Sequence, residues 1–155
     1  MSGNYDVIFV GGAVMAASTA YSLLMDQPKT KVLIIEKDPT YEKAASPLAL
    51  GGIRQQFSTR VNIRLARQSL EVFENFGEIM ESTSGKPQID LRQGGYFFMV
   101  SEEKWPTAVE IAELQREEGV EIELLTPEDI SKALPELNMD GIVGGTICRR
   151  EGILD

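Results

Sequence analysis

Residues 5–16 read Tyr5-Asp6-Val7-Ile8-Phe9-Val10-Gly11-Gly12-Ala13-Val14-Met15-Ala16, an apolar run that ends on two glycines and enters an alanine-rich stretch. Such a run fits a parallel strand buried on both faces. Ala13, Ala16, Ala17 and Ala20 are small enough to let the following helix, which extends to about Met25, lie close on a sheet, and Pro28 with its polar neighbours ends it. Lys31-Val32-Leu33-Ile34-Ile35-Glu36 is a second buried strand that finishes on an acid. Strand, glycine turn, helix and strand-end acid make a βαβ unit of the dinucleotide-binding kind. Backbone N–H groups at the helix N-terminus can approach a pyrophosphate, and the carboxylate can accept bonds from ribose hydroxyls.

The Gly-x-Gly-x-x-Gly pattern is met at Gly11, whereas Ala13 and Ala16 stand at its second and third positions. A methyl at the second position sits where the backbone comes nearest the pyrophosphate, so a reduced affinity is expected. The same small residues would also serve simple helix–sheet packing, and Glu36 alone would also suit an exposed acid paired with Lys37. An acid at this place favours a free ribose diol over a 2′-phosphate. The candidate contacts are Gly11, Gly12, Ala13, Val14, Met15, Glu36 and Lys37.

From residue 38 to 59 the chain reads as irregular, punctuated by Pro39, Pro47, Gly51 and Gly52. Long loops on a rigid scaffold are often functional. Gly51-Gly52-Ile53-Arg54-Gln55-Gln56 offers a backbone able to lie flat on a ligand, with a cation and two amides for an anion or a polar ring edge. A surface turn with Arg54 paired to an acid satisfies the same residues. A helix over 60–81 follows, capped by Ser58 or Thr59, with Ile63, Ala66, Leu70, Phe73 and Met80 on its buried face. Beyond it lie a strand at 95–100 and a helix capped by Ser101 and running to Gly119. A half-exposed strand at 120–125, a helix starting at Thr126-Pro127 and a strand at 141–148 follow. Tyr96, Phe97 and Phe98 read as core, the acids from 110 to 123 as a solvated face, and Cys148 as buried and inert.

The chain has 155 residues, enough for one ordinary domain, and its 43% hydrophobic and 25% charged residues are those of a globular protein. With a net charge of −9, nucleic acid and anionic membranes are disfavoured as partners, and a small molecule is the better expectation. One cysteine and no histidine exclude a disulfide framework, a Cys/His zinc site and a histidine-based triad; no metal is expected. The first strand begins close to Met1, and no apolar run approaches the roughly 20 residues of a membrane span, so the expected location is cytoplasmic.

Residues 6–21, 32–38, 46–58, 94–100, 125–137 and 152–155 together resemble the N-terminal part of an FAD-dependent oxidoreductase of the D-amino-acid oxidase/sarcosine oxidase superfamily. The string from Gly51 to Ser58 is similar to the branch that holds FAD-dependent oxidoreductase domain-containing proteins and the enzymes oxidising glycine, sarcosine and dimethylglycine. The resemblance implies an α/β fold: a partial Rossmann-like FAD-binding domain over residues 1–82, then the start of a mixed-sheet substrate domain over 83–155. It implies FAD as cofactor and a small amine or amino acid as substrate, oxidised at a CH–NH bond by hydride transfer to the flavin. The Gly11 turn would meet the pyrophosphate, Glu36 the ribose and Ser46 the phosphates. Gly52, Ile53, Arg54 and Gln55 would lie in the flavin region, with Arg54 the candidate for an electrostatic role near flavin or substrate. Family members continue well past residue 155, so the expectation is a truncated chain, inactive alone and in need of a C-terminal half or partner chain. The alternative is a non-catalytic FAD-fold assembly factor or subunit that docks to a partner. An NAD-dependent dehydrogenase leaves residues 46–58 without a role.

Overall fold

A computed structural model describes residues 3–154, so Met1, Ser2 and Asp155, which the readings above touch, lie outside the described residues. The chain divides into two compact units, Met1–Leu50 and Gly51–Asp155. The fold is mixed α/β, with a parallel strand pair in the first unit and antiparallel sheets in the second. Among the described residues no helix is long and apolar enough to cross a membrane.

In the first unit β1 (Val7–Val10) leads through α1 (Val14–Asp26) to β2 (Val32–Ile35). The strands are parallel, with Val7 opposite Val32 and Val10 opposite Ile35. Asp6 joins their starts: its N–H donates to the Lys31 carbonyl at 2.9 Å, and its carboxylate accepts the Lys31 N–H at 2.8 Å. The expected burial of β1 on both faces is not met, for Ile8 is 55% and Val10 89% exposed. Two strands alone give each strand a single neighbour, and the described residues leave alternate side chains of β1 uncovered.

The second unit begins with β3 (Gly52–Ile53), a strand that the sequence pattern does not announce, and continues with α2 (Arg60–Glu74) and α3 (Phe76–Ile79). The expected single helix over 60–81 is therefore broken at Asn75, whose side-chain amide turns back to donate to the Glu71 carbonyl at 2.8 Å. Ile63 and Leu70 are fully buried as the periodicity requires. Thr59 does occupy the N-cap, but its side chain makes no capping bond.

There follow β4 (Leu91–Gln93), β5 (Tyr96–Ser101), α4 (Trp105–Glu117), β6 (Ile122–Leu125), α5 (Pro127–Ala133), β7 (Ile142–Cys148) and β8 (Gly152–Leu154). Ser101 does not cap α4, because a 3-10 turn over Glu102–Lys104 intervenes. Thr126 does cap α5: its hydroxyl and the Asp129 carboxylate satisfy each other's backbone N–H groups. The strands pair in two antiparallel sheets, β3-β8-β4 and β5-β7-β6. A Cβ on Gly144 or Gly145 of β7 would come within 2.6 Å of the Trp105 or Phe97 ring, so these two rings lie directly on bare backbone. The core joins Ile63, Ala112, Val120, Ile122 and Cys148, with Phe57, Leu114 and Leu124 packed against it.

The acids from 110 to 123 are a solvated face with one exception. Glu118 is buried, bound by Arg60 and by Arg64 (both 2.6 Å), while its carbonyl accepts from Arg67. Those arginines, Arg64 foremost, hold its carboxyl down at about 2 and tie α2 to the end of α4.

Candidate functional site

The β1–α1 turn ties the N–H groups of its two glycines inside the chain and leaves the start of α1 without a side-chain cap. Gly11 has φ +100°, a conformation costly for residues with a Cβ, and its N–H continues the strand ladder to the Ile35 carbonyl at 2.8 Å. The Gly12 N–H donates to Glu36 Oε2 at 2.6 Å, and the Asp38 N–H donates to Oε1 at 2.8 Å. These bonds, that from Gly12 first, hold the Glu36 carboxyl below its usual range, so it is ionised at neutral pH. A Cβ on Gly12 would stand 2.8 Å from the Tyr41 hydroxyl and 3.1 Å from the Glu36 Cβ, so glycine is what lets the strand-end acid come this close.

Ala13 is the N-cap of α1 and supplies no capping side chain, and no acid occupies the first turn. The first N–H groups of the helix, around the exposed Val14 and Met15, thus meet no internal carboxylate or hydroxyl cap, which suits an anion. The Glu36 carboxylate retains acceptor capacity beyond the backbone bonds it takes, which suits a diol. This donor and acceptor set fits the pyrophosphate and ribose of a dinucleotide. The structure therefore brings Gly11, Gly12, Ala13, Val14, Met15 and Glu36 together, with the exposed Lys37 next to the acid. Ser46 lies exposed in the turns after β2, its carbonyl accepting the Ala49 N–H at 3.2 Å.

Gly52, Ile53, Arg54 and Gln55 belong to the second unit. Gly51, with φ +68°, sets the start of this segment; a Cβ there would lie 2.0 Å from the Leu154 carbonyl oxygen. β3 then pairs with β8, Gly52 opposite Ile153 and Ile53 opposite Gly152. The exposed Arg54 guanidinium lies 5.1 Å from the centre of the Phe57 ring and 5.7 Å from that of Phe98. Tyr96 stands 5.5 Å from Phe98 and would touch a Cβ on Gly52. Tyr96, Phe97 and Phe98 are accordingly not the buried core expected of them: Tyr96 is 36% exposed, and both phenylalanines are half-buried. An aromatic platform under a cation is suited to presenting that cation to an anion or to a flat, electron-poor ring. Period-two alternation in the aromatic strand puts Tyr96 and Phe98 on one face, a signal that could have grouped them. Gln55 is buried, its amide 3.6 Å from Cys148 Sγ, and the fully buried Glu151 beneath it was missed altogether. Cys148 is buried as expected, and burial pushes its thiol up.

Residues 6–155 match the family of FAD dependent oxidoreductases. The chain belongs to this family. Its FAD-dependent oxidoreductase relatives include FAD-dependent oxidoreductase domain-containing protein 1 of Bos taurus, 36% identical over 141 residues, which cover 88% of this chain and 29% of that protein. Among solved structures, the L-proline dehydrogenase from P. horikoshii superposes with a TM-score of 0.78 at 23% identity, over 100% of this chain and 39% of that one. The L-alpha-glycerophosphate oxidase from Mycoplasma pneumoniae, solved with FAD bound, gives 0.73 at 19% identity, over 99% and 39%. The chain spans less than a third of the length of the curated relatives it matches. The cofactor of the family is FAD, and the uncapped start of α1 and the strand-end Glu36 are donors and acceptors of the kind a dinucleotide takes.

Proposed function

We propose that this chain forms the adenine-dinucleotide end and part of the flavin-facing wall of an oxidoreductase that oxidises a small amine or amino acid, of the sarcosine, glycine or dimethylglycine kind. The observation that carries the reading is the Gly12 N–H···Glu36 bond, which sets an ionised acid beside an uncapped helix N-terminus. Gly11, Gly12, Ala13, Val14 and Met15 face the pyrophosphate, and Glu36, with Lys37 next to it, takes the ribose hydroxyls. Ser46 serves the phosphates. Gly52, Ile53, Arg54 and Gln55 border the flavin, and Arg54 on its aromatic platform provides positive charge to flavin or substrate. Bound FAD supplies the hydride acceptor for the carbon next to the amine. In this reading residues 1–82 belong to the FAD domain and 83–155 to the substrate domain, a functional division distinct from the compact-unit boundary after Leu50. An amine is supported by the likeness to a proline dehydrogenase, although a glycerophosphate oxidase shares the fold.

The test is FAD titration of the purified chain, followed by flavin fluorescence and by the visible spectrum after gel filtration. Saturable binding that weakens in Glu36→Gln is the expected result. A folded chain that leaves FAD fluorescence unchanged overturns the binding assignment. Bleaching of the flavin by sarcosine or proline, and not by glycerol phosphate, tests the substrate class in the full-length protein. A second reading, a non-catalytic FAD-fold module that docks to a partner, is favoured by the exposed Ile8, Val10, Ile34 and Ile35 of the first unit. Flavin bleaching by a secondary amine rejects it.

A further inference from the structure

Glu151 is fully buried, yet among the described residues it forms no ion pair. Its carboxylate is spent on one short segment. Oε1 accepts the backbone N–H groups of Gln55 and of Gln56 (2.9 Å for the latter), and Oε2 accepts Gln56 Nε2 at 2.7 Å. The Gln56 amide is itself fixed in one orientation, since Nε2 also donates to the Tyr96 carbonyl at 2.7 Å and Oε1 accepts the Thr146 hydroxyl at 2.7 Å. The backbone of Glu151 is anchored as well: its N–H donates to the Cys148 carbonyl at 3.2 Å, and its carbonyl accepts the Gly95 N–H at 2.8 Å. Arg54 thus sits between Ile53, which is paired to Gly152 of β8, and two residues whose N–H groups converge on one buried acid.

A carboxylate buried without a direct ion pair is costly and would be a poor choice for packing alone. An acceptor with no donor of its own is, however, what three converging N–H groups need. Glutamine at 151 would turn an NH2 toward the Gln56 amide, and that amide cannot flip without losing Tyr96 and Thr146. We propose that Glu151 is a positioning residue: its carboxylate holds the backbone of residues 52–56 so that Arg54 is presented over Phe57 and Phe98. Its effect on cofactor binding rests on the assignment of Arg54 to the flavin region; its effect on the shape of the segment does not.

Isotope-labelled wild-type chain, Glu151→Gln, Glu151→Asp and Arg54→Gln separate these parts by NMR and by FAD fluorescence titration. Glu151→Gln should lower the hydrogen-exchange protection of the Gln55 and Gln56 amides roughly tenfold or more and shift the Arg54 Nε–H signal, with the α4 and β7 amides unchanged. It should weaken FAD binding roughly tenfold, and Glu151→Asp should restore part of both effects. Arg54→Gln should weaken FAD without touching the Gln55 and Gln56 protection. Unchanged protection and Arg54 signal in a folded Glu151→Gln chain overturn the proposal. Altered protection with unaltered FAD binding in both Glu151→Gln and Arg54→Gln leaves the positioning role standing and refutes the assignment of Arg54.

If Glu151→Gln does not fold, the wild-type chain decides the matter. The Glu151 carboxyl, the Gln55 and Gln56 amides and the Arg54 Nε–H should titrate together, with a single midpoint above the ordinary glutamate range. Among the described residues the ionisable groups that face Glu151 are Arg54 and Cys148, and burial pushes the thiol upward, away from that acidic window. An Arg54 signal that ignores the carboxyl titration refutes the proposal.

Discussion

Replacing Ile63 by alanine tests whether the core of the second unit holds the Arg54 segment. Ile63 has no exposed surface and meets Ala112, Val120, Ile122 and Cys148, with Phe57 packed against the same cluster. Truncation removes three carbons, about 2.4 kcal/mol at ~0.8 per buried methylene. The walls of the resulting cavity cannot easily close, because Ile122 and Cys148 face each other in fixed register between β6 and β7. A residual cavity adds about 1 kcal/mol, so the expected loss is about 3 to 4 kcal/mol. Urea unfolding followed by Trp105 fluorescence measures it, since this is the only tryptophan and lies over Gly144 in the same unit. Val61→Ala is the control: it lies on the same helix, is 66% exposed, and should cost no more than about 0.5 kcal/mol. A loss below about 1 kcal/mol for Ile63→Ala, or one equal to that of Val61→Ala, would refute the packing argument. Because Arg54 stacks on Phe57, the same variant should also broaden the Arg54 side-chain signal.

Three further outcomes are expected. Gly12→Ala brings a methyl to 3.1 Å from the Glu36 Cβ and should weaken FAD binding roughly tenfold in a fluorescence titration, with helix content by circular dichroism unchanged. Glu118 is held at about 2 in the folded chain against 4.5 ordinarily. Its contribution to stability is therefore complete above pH 4.5 and lost as pH falls toward 2. Glu118→Gln should flatten the decline of the urea midpoint across that window, and an unchanged slope counts against the Arg60 and Arg64 pairing. In one NMR pH titration of the wild-type chain, the Gln55 and Gln56 amides should respond at a higher pH than the Gly12 amide. The reverse order would contradict the environments assigned to Glu151 and Glu36.

Much of the first unit was legible because its signals are local. Strand, glycine, helix and acid lie within residues 5–36, and the one long bond that defines the site spans only 24 positions, from Gly12 to Glu36. What failed there was burial: composition marks β1 and β2 as covered strands, but covering depends on neighbours that no property of the run specifies. In the second unit the misses are long-range or too short to have a pattern. A two-residue strand such as β3 has no periodicity, and it exists through β8, about a hundred positions later. The break at Asn75 was invisible because Phe73 and Met80 keep a seven-residue spacing across it. Glu118 stood among exposed acids, and the partners of its carboxylate, Arg60 and Arg64, lie more than 50 positions upstream.

Glu36 and Glu151 show why one candidate segment could be read and another could not. Both carboxylates do the same work, accepting backbone N–H groups from a glycine-bearing segment: Gly12 in one case, Gln55 and Gln56 in the other. Glu36 does so at a strand end, partly open to water, where donated hydrogen bonds dominate and hold its carboxyl down. Glu151 does so in the interior, where burial outweighs the same kind of bond and pushes its carboxyl up. An acid at a strand end has a place in a known pattern, so its position alone suggests a ligand. An acid in a turn after two arginines has none, and its meaning comes only from the segment that folds over it. The difference matters for function because an open acceptor can still turn to a ligand. A buried one is shut off from any ligand by the chain around it and can act only by shaping what lies above it, which here is Arg54.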